Sequence, residues 1–377
     1  MKKQTIAILF ALCATLVLSA CGKEEEAPTV EAVEEPVIVV GGDEEEEEVA
    51  EEEVVEEEEE EVRPGFYRSE LTNEWIDESL KNQRPILAMV DNESLALPHY
   101  GVNACDIVYE MTNSTQNGGI TRLMCVMKDW GNIKQLGSIR SVRPTNLQIA
   151  PEYNGVVCHD GGPFYIDMFI KNDFVYHLSG VFSRENNGKS REYTEYIEPG
   201  DLEKYIDEAG GAEYNDYYRL KESGRQHFNF ASEKNPEDLS GYSDAKEAKK
   251  IKLPFDHNSS ELTYNEETGL YEYGEYGKPH VDAGDNNNVT AFKNVFIQNA
   301  ELTQFDDHGY MMFTSVASGR DGWYITNGKA IPVTWSKFDD LDPTYFFDKD
   351  GKEVRTNTGK TYIAIVRSER FSDIVIE

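Results

Sequence analysis

Basic residues are scarce in this chain: 36 Lys and Arg stand against 71 Asp and Glu among 377 residues, a net charge of −35. A phosphate backbone is held by a surplus of cations, so the composition argues against nucleic acid as a partner. Cysteine is scarce too. Beyond Cys13 and Cys21 only Cys105, Cys125 and Cys158 remain, and no Cys-x-x-Cys occurs, which disfavours a redox motif or a structural zinc. Three thiols allow at most one bridge. All three lie in apolar, strand-like runs, so buried free thiols are expected. The seven histidines, at 99, 159, 177, 227, 257, 280 and 308, include no i, i+4 pair of the kind that binds metal from one helix face. No Gly-x-Ser-x-Gly elbow, phosphate-binding loop or dinucleotide fingerprint appears. Asp348-Lys349-Asp350-Gly351 is not a calcium loop, because Gly359 stands where the twelfth-position Glu belongs. The sequence therefore predicts no metal and no cofactor.

The N-terminus reads as a sorting signal. Lys2 and Lys3 precede an apolar run from Ile6 to Leu18, long enough for a signal-peptide core and too short to span a bilayer comfortably. The run ends in Leu18-Ser19-Ala20-Cys21-Gly22, which resembles the bacterial lipobox. There the Cys sulfur is diacylated and the bond before it is cut, so residues 1–20 are expected to be a signal peptide and Cys21 a lipidated first residue. Two or three acyl chains anchor stably, unlike one. The expected partner is the cell membrane, on its extracytoplasmic face. Residues 24–62 then carry 20 Glu and Asp43 with no base. Such a segment cannot bury enough apolar surface to fold and repels itself into an extended spacer. Residues 21–63 are thus read as lipidated Cys and acidic linker.

The remainder has the composition of a core-forming chain. Strands are expected at Pro85–Val90, Asp106–Met111, Ile120–Lys128, Leu136–Ile139, Gly155–His159 and Phe174–Leu178. Helices are expected at Asn146–Tyr153, at Phe164–Ile170 after a Pro suited to the first helical position, and at Gly200–Ala209 with Asp201 as N-cap. This predicts an α+β fold: a mixed α/β sandwich-type domain over 84–232, a linker over 233–253, and a smaller β-rich domain over 254–377. The second part holds closely spaced strand-like runs, with Asn327-Gly328 and Asp350-Gly351 as hairpin turns, and suggests a small sandwich or barrel.

One cluster in the first part carries possible chemistry: Asp91, Asn92, Gly118, Gly119, Thr121, Arg122, Arg140, Arg143, His159, Gly161 and Gly162. Most of these sit at a strand end or in the loop after it, the edge where α/β sheets bind ligands. Paired glycines let backbone approach a ligand, and guanidinium groups match carboxylate or phosphate bidentately. Cys158 and His159 are neighbours on one strand and point to opposite faces, so they form no dyad.

These segments, in this order, resemble the YerB-like family of bacterial envelope lipoproteins. The resemblance rests on Arg84-Pro85 leading to Asp91-Asn92, Ala104 to Glu110, Gly118 to Arg122, Gly137 to Pro144 and His159 to Gly162. In the second part it rests on Gly322 to Ala330, Trp335-Ser336-Lys337, Gly351-Lys352 and Gly359-Lys360-Thr361. The chain departs from the usual pattern at Val142, where the family has Ala, and at His99-Tyr100, where it has Pro-Gln. The resemblance covers roughly 84–367 and implies a surface lipoprotein of two domains, with no known reaction. Three functions follow from the residues. The first is binding of an anionic envelope ligand between Arg122, Arg140 and Arg143. The second is a scaffold that docks an envelope protein. The third is a hydrolase or transferase using His159 with Asp91 or Asp160.

Overall fold

The computed structural model describes residues 62–377 apart from Asn117 and Glu222; the expected signal peptide, Cys21 and the acidic tract lie outside the described residues. Among the described residues no helix is long and apolar enough to cross a membrane.

The first half supplies strands β1 (Ile86–Asp91), β2 (Ile107–Thr112), β3 (Thr121–Met127), β4 (Val156–His159) and β5 (Tyr176–Ser179). β1 to β4 are apolar runs buried along their whole length, the pattern of strands covered on both faces. The second half supplies β6 (Lys246–Glu247), β7 (Asn294–Ala300), β8 (Ala317–Thr326), β9 (Lys329–Lys337), β10 (Tyr345–Phe347) and β11 (Thr361–Arg367). β8 and β9 form the expected hairpin. Asn327 at φ 49° and Gly328 at φ 76° supply the two left-handed residues that a tight two-residue turn requires.

All eleven strands belong to one sheet, in the order β6-β9-β8-β7-β11-β2-β3-β1-β4-β5, with β10 on β9. The halves meet where β2 runs parallel to β11, with Ile107 opposite Thr361 and Met111 opposite Ile365. The second half therefore extends the sheet begun by the first instead of closing as a sandwich or barrel of its own. The stretch read as a linker contributes β6 and the strand Lys250–Lys252. A second sheet, built on Lys250–Lys252, Glu261–Asn265 and Leu270–Glu275, packs Leu262, Tyr271 and Tyr273 with Ile86, Ala88 and Val90. On the opposite face Leu87 and Met89 pack with Leu147, Phe296 and Trp335. Alternate residues of β1 thus enter two different cores, as strand geometry demands.

The α+β expectation is met only coarsely, because the structure is mostly β. Its helices α1 (Pro144–Ile149), α2 (Asp167–Ile170) and α3 (Asp201–Tyr205) have 6, 4 and 5 residues. α1 stops where Pro151 has no N–H to continue the ladder, and 150–153 tightens into a 3-10 turn. Gly200, at φ 89°, precedes α3 as its cap, and Asp201 is the first helical residue. This corrects the expected Asp201 cap: its carboxylate instead accepts from the N–H groups of Ser183 and Glu198. Cys105, Cys125 and Cys158 are buried and free, as expected.

Candidate functional site

Strand pairing assembles the site floor. Asp91 ends β1 directly opposite Arg122 at the start of β3. The segment after Leu136–Gly137 runs alongside: the Asp91 N–H donates to Ser138 O at 2.9 Å and the Arg140 N–H to Met89 O at 2.8 Å. Arg143 is extended at φ −122°, ψ 160°, the conformation a following Pro favours. Its N–H donates to Asn146 Oδ1 at 2.9 Å, which starts α1. Three arginines are thereby carried to one place by three backbone segments.

The cleft they line encloses about 570 Å³. Asp91 Oδ2 lies 2.7 Å from Arg140 Nε, and Oδ1 3.7 Å from Arg122 Nη2. Arg140 also reaches Glu192 at 3.1 Å, and Arg122 Nη1 donates to Ser141 O at 2.9 Å. Arg143 differs. Its Nε donates to Asn113 O at 3.2 Å and its Nη1 to Val142 O at 3.1 Å, and its guanidinium lies over the Tyr310 ring at 5.2 Å. No described carboxylate forms an ion pair with it. Burial, then the Arg122 charge, push the Arg143 guanidinium down to about 9. Burial also lowers Arg122, against the pull of Asp91. The cleft thus gathers three guanidinium groups and four carboxylates, with Asp91 on the floor between Arg122 and Arg140 and Glu192 on Arg140. Glu93, Glu192 and Asp307 line the margin, and Glu93 turns to His257 at 3.2 Å.

Of the residues expected in the cluster, Asp91, Arg122, Arg140 and Arg143 line this cleft. Asn92 and Thr121 do not. One position along their strands they face the other way, and both bond Glu110, at 3.3 and 2.7 Å. Gly118 and Gly119, at φ 70° and 76°, make the turn before β3, and a Cβ on Gly118 would meet His257 Nδ1 at 3.3 Å. His159 is turned away from the floor: its Nδ1 contacts Gly161 O at 2.7 Å and its Nε2 contacts His177 at 3.1 Å. Burial lowers it to about 4. Asp160 is paired with Arg184 at 2.7 Å. Gly161 and Gly162 shape the neighbouring turn, where Val142 N–H donates to Gly161 O at 3.1 Å and a Cβ on Gly162 would lie 2.6 Å from Ile166. Neither His159 nor Asp160 is among the residues that line the cleft, whereas Asp91 lines it and is held by Arg140.

Sequence reading missed the second half's share. Asp307, His308 and Tyr310 close the cleft from the loop before Met311–Phe313. Gly309, at φ 78°, lets that loop approach residues 114–116, since a Cβ there would lie 2.7 Å from Gln116 N. Its carbonyl accepts from Thr115 N–H at 3.1 Å. An Asp-Asp-His-Gly-Tyr turn was visible at 306–310, but nothing local ties it to residues almost two hundred positions earlier. For metal, one group of His and carboxylate atoms among the described residues is close enough: His99, Glu275 and His280, outside this cleft.

The arrangement, a β-rich chain whose two parts share a sheet and a cleft, matches a family known by its sequence and not by its activity. Residues 71–215 match the N-terminal domain, and residues 251–363 the C-terminal domain, of the protein of unknown function DUF3048. The chain belongs to this YerB-like family. It is 23% identical over 312 residues to "Putative lipoprotein YerB" of Bacillus subtilis (strain 168), covering 79% of this chain and 86% of that protein. The crystal structure of YerB from Bacillus subtilis superposes with a TM-score of 0.67 at 18% identity, over 82% of this chain and 99% of that one, which supports the fold.

Proposed function

We propose that the protein is a lipid-anchored envelope protein that binds an anionic ligand, carboxylate- or phosphate-bearing, in the Arg122–Arg140–Arg143 cleft. The observation that carries the reading is Arg143: a half-buried guanidinium with carbonyl partners and an aromatic face but no described counter-charge. A cation partly withdrawn from water is ordinarily paired, and a ligand anion completes this one. The rim acids favour a ligand that also carries donor or cationic groups, as a cell-wall peptide fragment does. The anchor is supported by the lipobox at Cys21 and by the lipoprotein name of the relative. The reading gives the acidic tract the role of a spacer between membrane and cleft.

The test is calorimetric titration of the protein with inorganic phosphate and with a cell-wall peptide fragment. Arg143→Lys keeps the charge but loses the planar fork, and the loss of a charge-assisted bond costs about 1.5–3 kcal/mol in binding. Unchanged affinity in Arg143→Lys and Arg143→Gln, alongside a lowered melting midpoint, would make the arginine structural and end the ligand reading.

A further inference from the structure

Two histidines 181 residues apart meet ring to ring at the seam between loop 97–101 and the second sheet. His99 Nδ1 lies 2.7 Å from His280 Nε2. Glu275, which ends the strand Leu270–Glu275, stands beside them. The three residues are 0%, 3% and 2% exposed, and the three ligand atoms all lie within 4.8 Å of one another.

The surrounding bonds fix where the ring protons are. Asn103 Nδ2 donates to Asp285 Oδ2 at 2.9 Å and to Asn288 O at 3.3 Å. Its Oδ1 therefore accepts, and the Thr290 hydroxyl donates to it at 2.6 Å. With that proton used, Thr290 Oγ1 can only accept from His280 Nδ1, 2.8 Å away. His280 Nε2 is left as a bare lone pair. On the other ring, His99 Nε2 donates to the Asp91 carbonyl at 2.5 Å, which leaves Nδ1 bare as well. Two neutral imidazoles thus aim lone pairs at each other at 2.7 Å, a repulsive contact. Glu275 Oε1 has no hydrogen-bond partner among the described residues. It lies 3.9 Å from His280 Nε2, too far to supply a hydrogen bond. Two bare ring nitrogens thus converge beside the unpartnered Glu275 Oε1, while the far nitrogen of each ring is held by an oxygen, the second layer that orients metal-bound imidazole.

We propose that His99 Nδ1, His280 Nε2 and Glu275 Oε1 bind one divalent transition-metal ion of the zinc class, which clips the 97–101 loop to the second sheet. Two imidazoles and a carboxylate suit zinc and its neighbours rather than magnesium or calcium, which take oxygen. Two Zn–N bonds of about 2.0–2.1 Å at a tetrahedral angle put the nitrogens roughly 3.3 Å apart, so from 2.7 Å the rings open by about 0.6 Å on loading. The seam is already tied for this: the Ala283 N–H donates to His99 O at 2.9 Å and the Gly101 N–H to Asp282 Oδ1 at 3.0 Å.

The experiment uses the full-length chain in detergent, loaded with zinc and then dialysed against excess magnesium, so that the Glu tract holds magnesium. The expected result is one zinc retained per chain and a melting midpoint several degrees higher than that of the chelator-treated protein, because a ligand bound by the folded state alone stabilises it. Cobalt(II) in its place should give visible absorption from a nitrogen- and oxygen-ligated site. Thr290→Val removes only the hydroxyl that orients His280 and should weaken zinc about 10–100-fold. His280→Gln should abolish retention. No retained zinc in the folded wild-type chain, a zinc-independent midpoint, or retention equal in both variants overturns the site and leaves a proton between the rings as its occupant. The midpoint and the cobalt band are read on the unaltered chain, so a variant that fails to fold leaves the test standing.

Discussion

Lys337→Met should cost this protein more than any exposed charge could. Lys337 Nζ donates to Glu152 Oε2 at 3.1 Å, and both side chains are fully buried. Glu152 comes from the turn after α1 and Lys337 from the end of β9, so the pair joins the two family segments across the core. Glu152 also accepts from Tyr109 at 3.0 Å and from Thr344 at 2.9 Å. Burial pushes its carboxyl up, but Lys337 and then His227 hold it below the usual carboxylate range. Removing the ammonium strands a buried charge, which costs about 3–5 kcal/mol. At about 2 °C per kcal/mol for a chain of this size, the melting midpoint should fall by about 6–10 °C. The measurement is thermal unfolding of wild type, Lys337→Met, Glu152→Gln and the double variant. The double variant should be less unstable than the sum of the singles, since it strands no charge.

The pH dependence carries a definite sign. The folded carboxyl titrates below its unfolded value of about 4.3, so the unfolded chain binds more protons in that range. The pair's contribution is therefore present above about pH 4.3 and lost as the pH falls through the folded value. In Lys337→Met burial dominates and the carboxyl rises, so that it folds protonated in mild acid and the gap to wild type narrows as the pH falls. A difference below about 1 kcal/mol, the scale of an exposed pair, or one independent of pH, would refute this account of the core.

Two further outcomes follow from the chain's organisation. Limited proteolysis should cut first within 24–62 and next in the exposed stretch around 232–238, yet the second cut should leave fragments that co-elute under native conditions, because β2 and β11 pair along five residues; fragments that separate would show the halves hold together weakly. Cys21→Ala should move the protein from the membrane fraction to the soluble one, and unchanged detergent partitioning of that variant would show that Cys21 is not the anchor.

Where local chemistry decides the outcome, the sequence was readable. β1 to β4 fall within a residue or two of their apolar runs and Asn327-Gly328 turns the hairpin, while the helix expected at Asn146–Tyr153 starts two residues earlier, at Pro144, and gives way to a 3-10 turn after Ile149. The order of strands in the sheet was not readable. β11 enters between β7 and β2 as a parallel neighbour of both, and no turn signal marks a pairing between residues 107 and 361. Short apolar runs in the second half suggested a separate sandwich because nothing in their spacing says which sheet they join.

The site shows the same limit at finer scale. Asp91 and Asn92 are adjacent in the chain, as are Thr121 and Arg122, and sequence proximity grouped all four. The strand repeat separates them. Asp91 and Arg122 point into the arginine cleft, while Asn92 and Thr121 point into the Glu110 network on the other face. That division was available in principle, since β1 and β3 were expected as strands and side chains on a strand alternate. Parity applied to Asp91 alone would have kept Arg122 as its partner only if the register were known, and register is set by the pairing of Asp91 with Arg122 across β1 and β3, a tertiary fact. The same reasoning explains why His99 and His280 went unpaired: each is a lone histidine in its own segment, and tertiary ties such as the bridge from His99 to Asp282 bring them together. Sites built by register across distant strands leave single residues in sequence, where no local spacing marks them.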